Sequence, residues 1–293
     1  MTKCRAMAGT LYIVSTPIGN LEDITYRAVR ILREVDLIAC EDTRHTRKLL
    51  NHFDIQTRTI SYHEHNETAR ANELCELLDG GQSIAIVSDA GTPLLSDPGY
   101  RVVHAAIEKS IEVVPIPGAT AFVAALSASG LPLDHFLFGG FLPARANARR
   151  AKLEEFRSLD ATLIFYEAPH RIAATITDAV EILGNRQAVV ARELTKLHED
   201  FRRGSLDELA TVISAEQSTR GEIVLMIARP LSDAVDLKSK STSPAGAFAE
   251  RMTQLTREGL DEKSALKKAA RELGMKRDEA YRLWLTQKSL RSR

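Results

Sequence analysis

Four apolar runs, "TLYIVS", "DLIAC", "SIAIVS" and "IEVVPI", punctuate the first 130 residues, with helix-spaced segments such as "ITYRAVRILREV" and "GYRVVHAAIEKS" between them. Runs this rich in Ile and Val read as strands buried on both faces. Parallel strands need long crossovers, and the intervening helices supply them on both sides of a sheet. "GATAFVAALSASGLP" closes this half as one more helix, ended by Gly130 and Pro132. The first half is therefore expected to be an α/β domain over residues 1–132.

A second α/β set starts at "HFLFGGFLP" and runs through the strands "ATLIFYE", "QAVVARE" and "EIVLMIA" with helices between them, which makes residues 133–230 a second α/β domain. "RPLSDAVDLKSKSTSPAG" then breaks all periodicity, so residues 231–246 read as a linker. Three helical patterns fill residues 247–293. Asp261 is placed to cap the second, and Leu283 and Trp284 are expected in the core. Helix, short Gly turn and a Lys/Arg-rich helix form a helix-turn-helix pattern, or else a small helical cap or dimer element.

Charge is unevenly spread. From Phe248 to Arg293 there are twelve Lys and Arg against seven Asp and Glu, a net of +5 in a chain whose formal net charge is zero, so residues 1–247 carry −5. A basic tail on an acidic body points to a separate task for the tail. Cys4, Cys40 and Cys75 are scattered, without a CxxC pair, which fits a reducing compartment and no thiolate metal site. No apolar run reaches the roughly 18 residues of a membrane span. "MTKCRAMAGT" lacks the apolar core of an export signal, so a cytoplasmic protein is expected.

In open α/β sheets ligands sit beyond the C-terminal strand ends. The loops there are "STPIGN", "CEDTRHTRK", "SYHEHNE", "SDAGTPLLSDPG", "PIPGAT", "YEAPHR" and "ARELTKLHED". The usual G-x-G-x-x-G turn is missing. Instead Gly and Pro stand beside Asp, Glu, His and Arg, the mixture that holds ligands by backbone and orients them by side chain. In "SDAGTPLLSDPG", Asp89, Thr92, Ser96 and Asp97 offer oxygens to an ammonium or a ribose, or serve as caps and turns. Arg44, Arg47 and Lys48 could grip phosphate or pair with Glu41 and Asp42. His63 and His65 are expected on one face of a strand. No third metal ligand accompanies them, so Glu64 or His63 reads better as an acid/base group than as a metal ligand.

Taken in order, "LYIVSTPIGNLEDITYRAVRILREVDLIACEDTRHTRKLL", "SYHEHNE", "SDAGTPLLSDPG", "PIPGATAFVAALSASGLP" and "FYEAPHRI" resemble the tetrapyrrole methylase superfamily, and within it the ribosomal members. The resemblance runs from about Gly9 to Arg229, and the tail resembles the helix-turn-helix appended to those members. It implies two α/β domains with a cleft for S-adenosylmethionine between them, a homodimer, and methylation of a cytidine ribose 2′-oxygen in 16S rRNA, naked or within the small ribosomal subunit. Carried over, Ile18, Asp89, Gly91, Thr92, Leu95, Gly118, Ala119, Thr120 and Tyr166 would hold the cofactor. Tetrapyrrole methylases commonly have Gly-Asp-Pro where this chain has Gly91-Thr92-Pro93. Glu64, Asp42 and His63 are the candidate general bases; Arg44, Arg171 and Lys196 are the candidate phosphate holders; no metal is implied. Two rival readings are a precorrin-type methylase, against which the basic tail argues, and a non-enzymatic nucleic-acid-binding protein on a methylase scaffold.

Overall fold

The computed structural model describes residues 8–215 and 221–230, and, further on, 248, 251–252, 255–256, 260–273, 275, 280, 282 and 284. Two compact units divide the chain, Met1–Pro230 and Leu231–Arg293.

The first unit holds two five-stranded sheets. In one, β1 (Thr10–Val14), β2 (Leu37–Cys40), β3 (Thr59–Ser61), β4 (Ile84–Val87) and β5 (Glu112–Ile116) lie in the order β3-β2-β4-β1-β5, all parallel. Alternation along the strands sends Leu11, Ala39, Ile84 and Ile86 to one core and Val14, Ile38, Ala85 and Val87 to the other. Helices α3 (Glu67–Asp79) and α4 (Tyr100–Glu108) cover the first face; α1 (Tyr26–Glu34) and α2 (Thr43–His52) cover the second. Each fully buried Leu or Ile contributes about 1.5–3 kcal/mol, so this two-sided burial dominates the local energetics. Helices α1 and α2 start on side-chain caps: Thr25 accepts from the Ala28 N–H, and Asp42 from the Arg44 N–H.

Next, α5 (Ala121–Ser129) ends at Gly130, which takes the left-handed conformation with φ of 78°. The other sheet contains β6 (Phe136–Phe141), β7 (Thr162–Glu167), β8 (Gln187–Arg192), β9 (Asp200–Ser205) and β10 (Ile223–Ile227) in the order β6-β7-β10-β8-β9. Only β6 and β7 run parallel; β10 is antiparallel to both its neighbours and β8 to β9. Helices α6 (Ala146–Phe156), α7 (Ile172–Leu183) and α8 (Leu206–Ser214) pack one face, while α5 lies on the other against Ile164, Val189, Val224 and Met226. Ile18 and Leu194 join that last core, so the loop after β1 is tied to the second sheet.

Two strands differ from the sequence reading. β3 is only three residues long and ends at Ser61, and His63 and His65 lie beyond it in a turn closed by the Asn66 N–H on the His63 carbonyl. They therefore do not share a strand face. β9, "DFRRGS", lacks apolar alternation; its backbone ladder with β8 and the Arg192–Asp200 pairing at 3.4 Å make it a strand.

In the second unit α9 (Glu262–Glu272) starts at Asp261, whose carboxylate accepts from the Ser264 N–H. Phe248, Met252, Leu255, Ala265, Ala269 and Ala280 form its core, with Trp284 packed against them. The expected linker 231–246, the helix ends at Gly259 and Gly274, and Leu283 lie outside the described residues.

Candidate active site

The loop after β1 is zipped to the loop after β4. Thr16 and Gly91 exchange both backbone hydrogen bonds, at 2.9 and 3.1 Å, and the Thr16 hydroxyl donates to the Ser88 carbonyl. Gly91 has φ of +83°, and a Cβ there would stand 3.2 Å from Ile18, so the approach requires glycine. Thr92 ties in a third loop. Its hydroxyl donates to the Ala119 carbonyl at 3.2 Å and meets the hydroxyls of Ser15 and Thr120 at 2.9 and 2.7 Å. A single small side chain thus joins three strand-end loops.

These loops wall a cavity of about 420 Å³, within the range of small-molecule sites. Ile18, Asp89, Gly91, Thr92, Leu95, Thr120 and Tyr166 all line it, with Phe141 and Val224 adding apolar surface. Gly118 and Ala119 are not in its lining. Ala119 receives the Thr92 hydroxyl, and Gly118 packs so closely that a Cβ would lie 2.8 Å from that of Ser15. Among the described residues the lining carries four carboxylates, Asp89, Asp97, Glu167 and Glu222, and no Lys, Arg or His.

A second cavity of about 310 Å³ adjoins it through Ile18, Asp89, Ala90 and Glu222, which line both. Lys48 and Lys196 bring positive charge to its walls, with His45 beside them. A larger depression of about 660 Å³ lies against α1 and the end of α2. It has no residue from the loops after β4, β5 or β7, so the chemistry is argued from the other two.

Asp97 is the unusual group. It stands in the first cavity between Leu94 and Ser96 on one side and Gly99 on the other, with φ of 72°, 73° and 141°. Strained backbone of this kind persists only where the surroundings over-determine it. Burial, then the charge of Glu41, then that of Asp89 push its carboxyl up to about 6, against a hydrogen bond to Ser88. Burial and Asp89 also raise Glu41. Because the folded-state value of Asp97 lies above the unfolded one, the folded protein binds more protons between about 4 and 6, and stability from this group falls as pH rises through that window. Asp97→Asn should therefore raise Tm at pH 7.5, with the gap closing toward pH 4 in paired thermal melts; an equal gap at both pH values would refute it.

The three candidate bases are not brought to either cavity. Asp42 caps α2, and both its oxygens are held by Arg44, from the backbone at 2.8 Å and the guanidinium at 3.1 and 2.8 Å. Those bonds hold it well below the usual carboxylate range. Glu64 is exposed in the turn, and the His63 ring meets the Asn66 amide at 3.2 Å. Of the candidate phosphate holders, Arg44 pairs with Asp42 on the surface. Arg171 is turned inward onto Glu167 at 3.1 Å and the Leu142 carbonyl at 2.6 Å. Lys196 does line the second cavity, bonded to Glu193 at 2.9 Å and Glu222 at 3.4 Å. Burial pulls the lysine down, but its bond to Glu193 and the charge of Glu222 outweigh this and keep it protonated. Lys48, offered by the sequence as a phosphate grip or a partner of Glu41 and Asp42, lines the second cavity, and the charge of Glu41 acts on Asp97. The available signal was their position in a strand-end loop. Among the described residues no group of three His, Cys, Asp or Glu could hold a metal ion, and no helix is long and apolar enough to cross a membrane.

The family model of tetrapyrrole (corrin/porphyrin) methylases matches residues 10–210. A ribosomal RNA small subunit methyltransferase I of Halalkalibacterium halodurans is 47% identical over 282 residues, covering 94% of each chain. The protein of the same name from Synechocystis is 48% identical, covering 94% of this chain and 98% of its own. The chain belongs to the tetrapyrrole methylases, in their ribosomal RNA small subunit methyltransferase I family. This methyltransferase also shares its fold with a diphthine synthase, with a TM-score of 0.60 at 16% identity over 76% of this chain and 92% of that one.

Proposed function

We propose that the first cavity binds S-adenosylmethionine and that the protein methylates the ribose 2′-oxygen of a cytidine in 16S rRNA of the small ribosomal subunit. One observation carries the donor assignment: a cavity of suitable size, apolar on several sides, whose charged lining residues among the described ones are all carboxylates. Such a lining suits a ligand bearing a sulfonium and an ammonium. Ile18, Leu95, Tyr166 and Val224 would take the apolar parts, and Asp97 the cationic ones. The family and the names of its close relatives support the ribosomal acceptor.

When bound, the donor supplies an electrophilic methyl group. The protein then has to exclude water, align the acceptor and take its proton. Alignment is worth about 7–11 kcal/mol and a placed base about 10²- to 10⁴-fold. Asp89 is the carboxylate placed for the proton, because it stands in the wall between the cavities. The Asp42 N–H fixes its Oδ1 at 3.1 Å, which leaves Oδ2 for the acceptor hydroxyl.

Transfer of labelled methyl groups to small subunits lacking the modification, followed by digestion to nucleosides, tests the reading. Labelled 2′-O-methylcytidine is expected. Label in a tetrapyrrole precursor, or no transfer at all, would favour one of the two rivals. Deleting residues 243–293 should weaken subunit binding but spare donor binding. The log–log salt slope should shrink by about 0.9 per lost duplex phosphate contact, or about 0.7 for single strand; equal slopes would remove the tail from RNA recognition. We also assign the protein to the cytoplasm, and as a homodimer, for which the exposed apolar Val123, Leu133 and Phe136 offer a face; sedimentation at micromolar concentration checks the dimer.

A further inference from the structure

The second cavity has no role in donor binding, yet it shares a wall with the donor cavity and differs from it in charge. Its walls come from five places: the loop after β1, α2, the loop from β8 to β9, the loop after β4, and Glu222 just before β10. The third wall is held firmly. The Asn20 N–H donates to the Thr195 hydroxyl at 3.1 Å, and a Cβ on Gly19 would lie 2.6 Å from the Lys196 side chain. Glu193 and Thr195 have φ of 50° and 64°, so this loop too is held in the left-handed region.

We infer that this cavity is the acceptor subsite, taking the ribose-phosphate of the target nucleotide with Lys48 and His45 on one wall and Lys196 on the other. The inference rests on the methyl-transfer reading above. Three observations carry it. The cavity is about 310 Å³, room for one nucleotide's sugar and phosphate but not for a macrocycle as well as its substituents. It touches the donor cavity along Ile18, Asp89, Ala90 and Glu222, so a ribose there can reach a methyl group without crossing protein. Its cations are differently employed: Lys196 is already balanced by Glu193 and Glu222, whereas Lys48 has no ion-pair partner among the described residues. A side chain of that kind gains most from an incoming phosphate. Arg44 and Arg171, the more obvious cations in the sequence, are spent on Asp42 and Glu167.

The test has two arms. In the first, Lys48→Ala in the full chain is compared with wild type in methyl transfer to unmodified small subunits, with calorimetry of the donor alongside. Lys48 is exposed on α2, so the variant should fold. KM for the subunit should rise about tenfold, with kcat within about twofold and donor affinity unchanged; Lys48→Arg should recover most of the loss. An unchanged KM overturns the inference, and so does a loss of donor binding equal to the loss of activity. In the second arm, crystals of wild type with S-adenosylhomocysteine are soaked with cytidine 5′-monophosphate. Nucleotide between Lys48 and Lys196 supports the subsite. Nucleotide elsewhere, or none, overturns it. If wild type transfers no methyl group to subunits, the functional reading fails on that result alone, and the soak still decides whether this cavity takes a nucleotide.

Discussion

Arg171→Ala should unfold the protein far more readily than an ordinary surface change, lowering stability by about 3–5 kcal/mol. Glu167 ends β7 with a side chain of 0% exposure, and Arg171 sits one helical turn along on the start of α7. The carboxylate is surrounded by donors: the Ala168 N–H at 2.8 Å, the Thr175 hydroxyl at 2.6 Å and the Arg171 Nη2 at 3.4 Å. The same guanidinium also anchors the Leu142 and Pro143 carbonyls beyond β6. Truncating it leaves a buried charge short of its counter-ion and two carbonyls short of a donor. Urea titration of the variant measures the loss, and combining Arg171→Met with Glu167→Leu should restore much of it, because both charges are then gone. A variant as stable as wild type with a raised KM for the subunit would instead return Arg171 to the phosphate-holding role suggested by its sequence position.

Asp89→Asn should lower kcat by about 10²- to 10⁴-fold at saturating donor and subunit. The amide keeps the size of the side chain and can still accept the Asp42 N–H, so the wall between the cavities should survive. What it loses is the capacity to take a proton. Full activity in Asp89→Asn would pass the role to Asp97, whose carboxyl, pushed up to about 6, lies in the same cavity. Asp97→Asn, measured beside it, separates the two.

Much of the site was legible as loops. "STPIGN", "SDAGTPLLSDPG" and "PIPGAT" announced themselves by Gly and Pro at strand ends, and the structure brings Ile18, Gly91, Thr92 and Thr120 from them to one cavity. The acid/base groups were not legible in the same way. Asp42, Glu64 and His63 had the right chemistry in sequence, but a carboxylate's role depends on who reaches it first. Arg44 reaches Asp42, while Asp89 and Asp97 are left facing space. The same holds for the cations, since Arg171 is consumed by a glutamate four residues away and Lys48 is not. β9 escaped notice because one apolar residue, Phe201, among six carries no periodic signal; only a neighbouring strand makes the segment a strand.

By itself, then, the order of apolar runs and helical stretches determined an α/β chain with ligand loops at its strand ends, because the burial that forms each element is local and periodic. The direction of β10 in the second sheet, the meeting of three loops on the Thr92 hydroxyl and the charge of each cavity were decided by tertiary structure alone. These depend on which groups, distant along the chain, come within a hydrogen bond of one another, and no local pattern records that distance.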